Sequence, residues 1–167
     1  MKTRIESLLP DGSGGVAEFC KPLIGLPVSH VWQGYGSAIF LEFGELQPRV
    51  RRNRTLGNPE GEYTLGIEWS WRIEGKRRIW CGSWSESVKW PGVFARLKGA
   101  KVDSVRLYGR LPEIEMTFSN GLHLLSMMTA EGDPEWALTK REGRDSVSIH
   151  VRAARVWIER VSEVKSQ

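Results

Sequence analysis

Cysteine is scarce in this chain, and long apolar runs are missing. Cys20 and Cys81 are its two cysteines among 167 residues. A disulfide framework needs more of them and an export signal, so two free thiols are expected. No stretch reaches the roughly 18 apolar residues that a membrane-spanning helix needs, so no membrane association is expected. The start, Met1 to Pro10, lacks the apolar core of a signal peptide, which makes the cytoplasm the expected location. Catalytic signatures are also missing. There is no phosphate-binding Gly-Lys-Ser/Thr loop, no Gly-x-Ser-x-Gly elbow and no His-Glu-x-x-His pair. His30, His123 and His150 are isolated in sequence, whereas a metal site usually needs ligands at fixed spacing. No metal, cofactor or catalytic residue is expected, and the balance leans away from an enzyme.

Helix signals are few. Ser85-Glu86-Ser87-Val88 has the residues of a helix start, but Pro91-Gly92 reads as an interruption, which leaves one or two turns over Val93 to Lys98. Residues 153–164 do not settle between helix and strand. Residues 1–21 have weak periodicity around Asp11-Gly12-Ser13-Gly14-Gly15 and read as a flexible lead-in, with ordered structure beginning near Leu23.

What the chain does have is repetition. Leu23, Gly25, Val28 and Val31 precede the run Ile39-Phe40-Leu41-Glu42-Phe43. The same order returns as Leu97, Gly99, Val102 and Val105 before Ile114-Glu115-Met116-Thr117-Phe118. Each copy then reaches a Trp followed by an aliphatic residue two positions on, Trp71-Arg72-Ile73 and Trp136-Ala137-Leu138. This predicts two similar halves, about 23–73 and 97–138, within one β-rich domain spanning 22–167.

Strand signals fill both halves. From Tyr63 to Ile73 the odd positions are apolar and the even ones polar or small, which reads as one long strand with a buried and a wet face. Glu74-Gly75-Lys76 then turns it into a returning strand. Val28–Trp32, Ala38–Phe43, Val102–Tyr108, Glu113–Phe118, Leu122–Met128 and Glu135–Lys140 also read as strands, and Val147, Ile149 and Val151 announce a last one. Ser119-Asn120-Gly121 is a strong hairpin turn, and Gly34-Tyr35-Gly36 a second. The fold class is therefore mainly β: an antiparallel sheet, sandwich or barrel of two similar halves with one or two short helices. Trp69, Trp71, Ile114, Met116, Phe118 and Trp136 are the expected core.

Three places qualify as binding sites. The net charge is +4, with 24 basic residues against 20 acidic ones, and the excess is local. Arg49, Arg51, Arg52 and Arg54 crowd a long connection, residues 45–60, that reads as structureless. Such a cluster attracts an acidic partner or nucleic acid. No stacking aromatics are interleaved with it, so an acidic protein is favoured over nucleic acid. Trp84 and Trp90 flank a Ser-rich turn and read as an exposed aromatic patch. Glu131 and Asp133 stand with Glu135 in an acidic Asp-Pro turn, where Glu135 is expected to face water and Trp136 to pack inward.

The phrase Leu97-x-Gly99-x-x-Val102-x-x-Val105, through Phe118, Gly121 and Leu124 to Glu135-Trp136-Ala137-Leu138, resembles small bacterial β-rich families of unknown function. Some of these resemble immunity proteins of polymorphic toxin systems. The resemblance covers roughly Leu23 to Leu138 and implies a cytoplasmic protein-binding module. It carries no catalytic residues over. A small-molecule or nucleic-acid binder using residues 49–54 is the alternative. The oligomeric state is left open.

Overall fold

The computed structural model describes residues 2–9, 13–131 and 134–163. In chain order the elements are β1 (Lys2–Leu8), α1 (Ser13–Cys20), β2 (Val28–Gln33), β3 (Ile39–Phe43), β4 (Tyr63–Ile67), β5 (Trp71–Gly75) and β6 (Arg78–Gly82). They continue with α2 (Trp90–Leu97), β7 (Val102–Tyr108), β8 (Glu113–Phe118), β9 (His123–Ser126), β10 (Trp136–Glu142), β11 (Asp145–Arg152) and β12 (Arg155–Glu163). Among the described residues the strands form two antiparallel sheets. One has seven strands in the order β1-β12-β11-β10-β4-β3-β2, the other five in the order β6-β5-β9-β8-β7. The fold is mainly β, in two sheets with two short helices and no closed barrel.

Alternation decides which side chains enter the core. Ile39, Leu41 and Phe43 on β3, Tyr63, Leu65 and Ile67 on β4, and Ile114, Met116 and Phe118 on β8 are all buried. Both sheets contribute to one apolar cluster, together with Val16, Cys20, Trp90, Val93 and Leu97 from the helical segments. Burial of apolar area on this scale is the main favourable term in folding.

The chain does not fold as two halves side by side. Instead the halves exchange strands. β4 pairs with β10, with Leu65 opposite Leu138, and β9 pairs with β5, with Leu124 opposite Ile73. Each half therefore supplies the fourth strand of the other half's sheet. The matched details are close. Trp71 donates its indole N–H to Ser37 O at 2.6 Å, and Trp136 donates its own to Pro112 O at 2.8 Å, at the corresponding places after β2 and β7. Helix α1 packs on β7 and α2 on β2. Between them lies the centre of the arrangement. Gly25 N–H donates to Val102 O and Gly99 N–H to Val28 O, both at 2.8 Å, around an antiparallel bridge from Pro27 to Lys101. Gly25 and Gly99 both have φ near +87°, a conformation that costs a residue with a Cβ. β1 and β12 are the additions that break the match, extending the first sheet by two strands.

Several expectations need correction. The flexible lead-in is replaced by β1 and α1. β1 pairs with β12 over its whole length, and Val16 and Cys20 are buried. An edge strand that is exposed on both faces has no apolar alternation to read, so its sequence looks like coil. The long strand Tyr63–Ile73 is two strands in different sheets, broken at Glu68-Trp69-Ser70. The alternation survives the break because both pieces face the same core. Trp69 falls in the break and is 51% exposed, so it is not a core residue. Pro91 does not interrupt α2; it stands at its first turn, where the missing N–H costs nothing. Residues 155–163 are strand β12, not helix.

Candidate binding surface

The surface of interest is the outer face of the seven-stranded sheet. Strand pairing lines up Trp32, Phe40, Gly66, Ala137, His150, Trp157 and Leu8 across all seven strands. Bulk is concentrated at both ends of this row, and small residues form its middle. The rings of Trp32 and Phe40 stack at 4.2 Å between centroids, 11° from parallel. Glycine makes the room. A Cβ on Gly66 would lie 2.7 Å from Phe40, and one on Gly34 would lie 2.5 Å from it. The Trp32 indole N–H donates to Glu42 Oε1 at 3.1 Å. Glu42 is buried, and its other oxygen accepts from Gly61 N–H at 2.9 Å and Thr64 Oγ1 at 2.6 Å. The stack is therefore anchored from behind, with polar partners for the buried carboxylate.

Beyond the stack lies an open cleft of about 580 Å³ between the β2–β3 turn and the β4–β5 crossing. Trp32, Phe40, Tyr35, Trp69 and Glu68 line it, and Tyr35 is fully exposed. Four aromatic side chains and one carboxylate around a mainly apolar hollow make a place for an apolar or cationic side chain.

The Arg-rich connection leaves the opposite end of the same strands. It is not structureless. Gln47 and Glu60 exchange both backbone bonds, and Val50 bridges Leu56, so it forms a ladder-like projection closed by a turn at Arg54, whose φ is +62°. Asn58 ties it to the sheet through a 3.0 Å hydrogen bond between its Oδ1 and His30 Nε2. Arg49 is partly committed, 3.4 Å from Glu60, which also holds Arg141 at 3.0 Å. Arg51, Arg52 and Arg54 are exposed at the tip.

Trp84 and Trp90 do not form a patch. Trp84 is 90% exposed after β6, but Trp90 is only 3% exposed, with its ring 5.1 Å from that of Trp71. Trp90 opens α2 and turns into the core, which the misread helix start concealed. Glu131 is exposed, and Asp133 lies outside the described residues. Glu135 does not face water. It is buried, and its pKa is raised, first by burial and then by the charges of Glu113 and Glu131. Glu113 itself accepts from Met128 N–H at 2.6 Å and from Ser126 Oγ. Glu113 thus braces the backbone at Met128 and the hydroxyl of Ser126. Burial pushes the Cys20 thiol up to about 12 and that of Cys81 up to about 11, so neither is a ready thiolate. Among the described residues no group of His, Cys, Asp and Glu is placed to hold a metal ion.

Sequence reasoning missed Trp32, Tyr35, Phe40 and Trp69. Ile39-Phe40-Leu41 reads as continuously apolar, so Phe40 looks buried. The signal that would have found it is Gly66, a lone glycine in a strand, which marks a close approach. No protein family matches the chain, and no curated protein or solved structure matches it either.

Proposed function

We propose that this chain is a non-enzymatic protein-binding module that works in the cytoplasm, in the manner of an immunity protein. It grips its partner with the aromatic cleft at Trp32, Tyr35, Phe40 and Trp69. The observation that carries this reading is the cleft itself: a half-exposed Trp69 and a fully exposed Tyr35 beside the partly buried Trp32–Phe40 stack, which a buried Glu42 braces. Interface hot spots are enriched in Trp, Tyr and Arg set in pre-formed hollows. The exposed Arg51, Arg52 and Arg54 at the other end of the same strands supply a charged rim that steers an acidic partner and speeds encounter.

The test is affinity for a partner purified from the source cells, measured by calorimetry. Trp69→Ala is expected to weaken binding by about 30-fold or more, the size of a hot-spot loss. Trp84→Ala, remote from the cleft in sequence and sheet, is expected to change it less than about 3-fold. Equal effects of the two would sink the assignment of the cleft. Sub-micromolar, salt-sensitive binding to an oligonucleotide would move the site to the Arg tip and change the class of partner.

A further inference from the structure

Exposed sheet edges pair with other chains unless something prevents it. β2 and β7 meet at their first residues around Pro27 and Lys101, and α2 and α1 pack on β2 and β7 respectively, which partly covers one edge of each sheet. β6 is blunted: it is five residues long, and it carries a bulge opposite Ile73 and Glu74. β1 carries charges, at Lys2, Arg4 and Glu6, but it is longer and has no bulge. It runs for seven residues in unbroken register with β12, and Ile5 on it is 64% exposed. Leu9 donates its N–H to Val156 O on β12 at 2.9 Å. By alternation, the backbone groups of Lys2, Arg4, Glu6 and Leu8 point away from β12, to where no strand of this chain lies among the described residues.

We infer that β1 is the contact of a homodimer. It pairs antiparallel with β1 of a second copy about Ile5, and the two seven-stranded sheets become one. The strand's own sequence, Lys2-Thr3-Arg4-Ile5-Glu6-Ser7-Leu8, selects this register. Arg4 then faces Glu6 of the second copy, Glu6 faces Arg4, Thr3 faces Ser7, and Ile5 faces Ile5. Opposite charges across strands stabilise a pair and like charges destabilise it. Moving the centre to Arg4 sets Arg against Arg, and moving it to Glu6 sets Glu against Glu. The backbone agrees with the side chains. The four outward-pointing residues become the hydrogen-bonded pairs, giving about eight backbone bonds, and Ile5 sits at the close, non-bonded pair. In-chain partners already orient the charges. Arg4 pairs with Glu159, and Glu6 accepts from His150 at 2.9 Å and Arg152 at 3.1 Å. A surface that complements itself closes at two copies. The aromatic cleft lies toward the opposite edge of the same sheet, so the dimer presents it twice and covers neither.

Light scattering and sedimentation of the purified chain are expected to give twice its 18.9 kDa mass. Ile5→Lys places two ammonium groups against each other at the two-fold axis and is expected to give monomer with unchanged circular dichroism. Ile5→Cys is expected to cross-link on mild oxidation, because a non-bonded antiparallel pair has Cα atoms about 4.5 Å apart, within disulfide reach. Thr3→Cys is expected not to, since the two copies of residue 3 would stand roughly 13 Å apart along the strands. A monomeric parent at every concentration, a dimeric Ile5→Lys variant, or equal cross-linking of the two cysteine variants would overturn the proposal. Should Ile5→Lys fail to fold, the cysteine pair still decides it.

Discussion

The two sheets carry the same five-strand plan on different outer faces. Where β2 and β3 place Trp32 opposite Phe40, β7 and β8 place Arg106 opposite Glu115. Where β4 has Gly66 beneath the stack, β9 has Leu125. The second sheet's outer face is closed by its own charges. Glu115 pairs with both Arg106 and His123, and Arg72 pairs with Glu74 at 2.6 Å. The first sheet's face instead leaves Tyr35 and Trp69 exposed beside the Trp32–Phe40 stack. A shared interior with divergent exteriors separates what the repeat holds constant, the fold, from what it lets vary, the surface that meets other molecules.

The largest effect should come from the shared interior and be equal on both sides. Trp71→Ala and Trp136→Ala each remove a fully buried indole and its hydrogen bond, and each should cost about 3–5 kcal/mol in chemical denaturation. A difference of more than about 2 kcal/mol between them would break the equivalence of the two halves. Next come the paired turns. Gly25→Ala and Gly99→Ala meet no atom within 4 Å but force a side chain to a φ near +87°, at a cost of about 1–3 kcal/mol each. Matching losses by thermal melting sharpen the comparison, and a neutral result at either turn undoes it.

The smallest effect belongs to one sheet only. His150 occupies the strand position that Gly82 holds in the other sheet. Its pKa is lowered from 6.5, chiefly by burial, with Arg152 and Arg4 adding to the fall and Glu6 opposing it. A lowered histidine pKa means the unfolded chain binds the proton more readily. Stability is therefore present above about pH 6.5 and declines as pH falls through that value. His150→Gln should flatten the slope of stability between about pH 7 and 5. A slope that persists in the variant would assign it elsewhere.

How much of this was legible can be seen residue by residue. Alternation at Tyr63–Ile73 picked out the inward Tyr63, Leu65, Ile67, Trp71 and Ile73 and wrongly placed Trp69 among them, because burial is what alternation reports. It did not report the jump between sheets, since the strand on either side of Ser70 faces one core. The repeat was visible through Gly25 and Gly99, yet the exchange of fourth strands was not, because pairing partners leave no mark on either strand alone. The Arg projection looked like coil for a related reason: its ladder is built from backbone bonds between Gln47 and Glu60 that any side chain permits. Of the binding candidates read from composition, Arg51, Arg52, Arg54 and Trp84 are exposed and Trp90 is buried. The cleft escaped because Trp32 and Phe40 look like core until the glycines beneath them are counted as space.

The exchanged strands also set the order in which the molecule can be made. As the chain leaves the ribosome, β4 and β5 appear together, but neither has its central partner. β4 waits for β10 and β5 for β9, both encoded in the second half. Until then the first half exposes Leu65, Ile67, Trp71 and Ile73 on unpaired edges, the state in which nascent β proteins aggregate. Long-range pairing of this kind slows folding, because loop closure must precede any reward from contact. The first half is thus no independent module that the second half copies. Either half, released alone, would carry a strand cut for a sheet it does not possess.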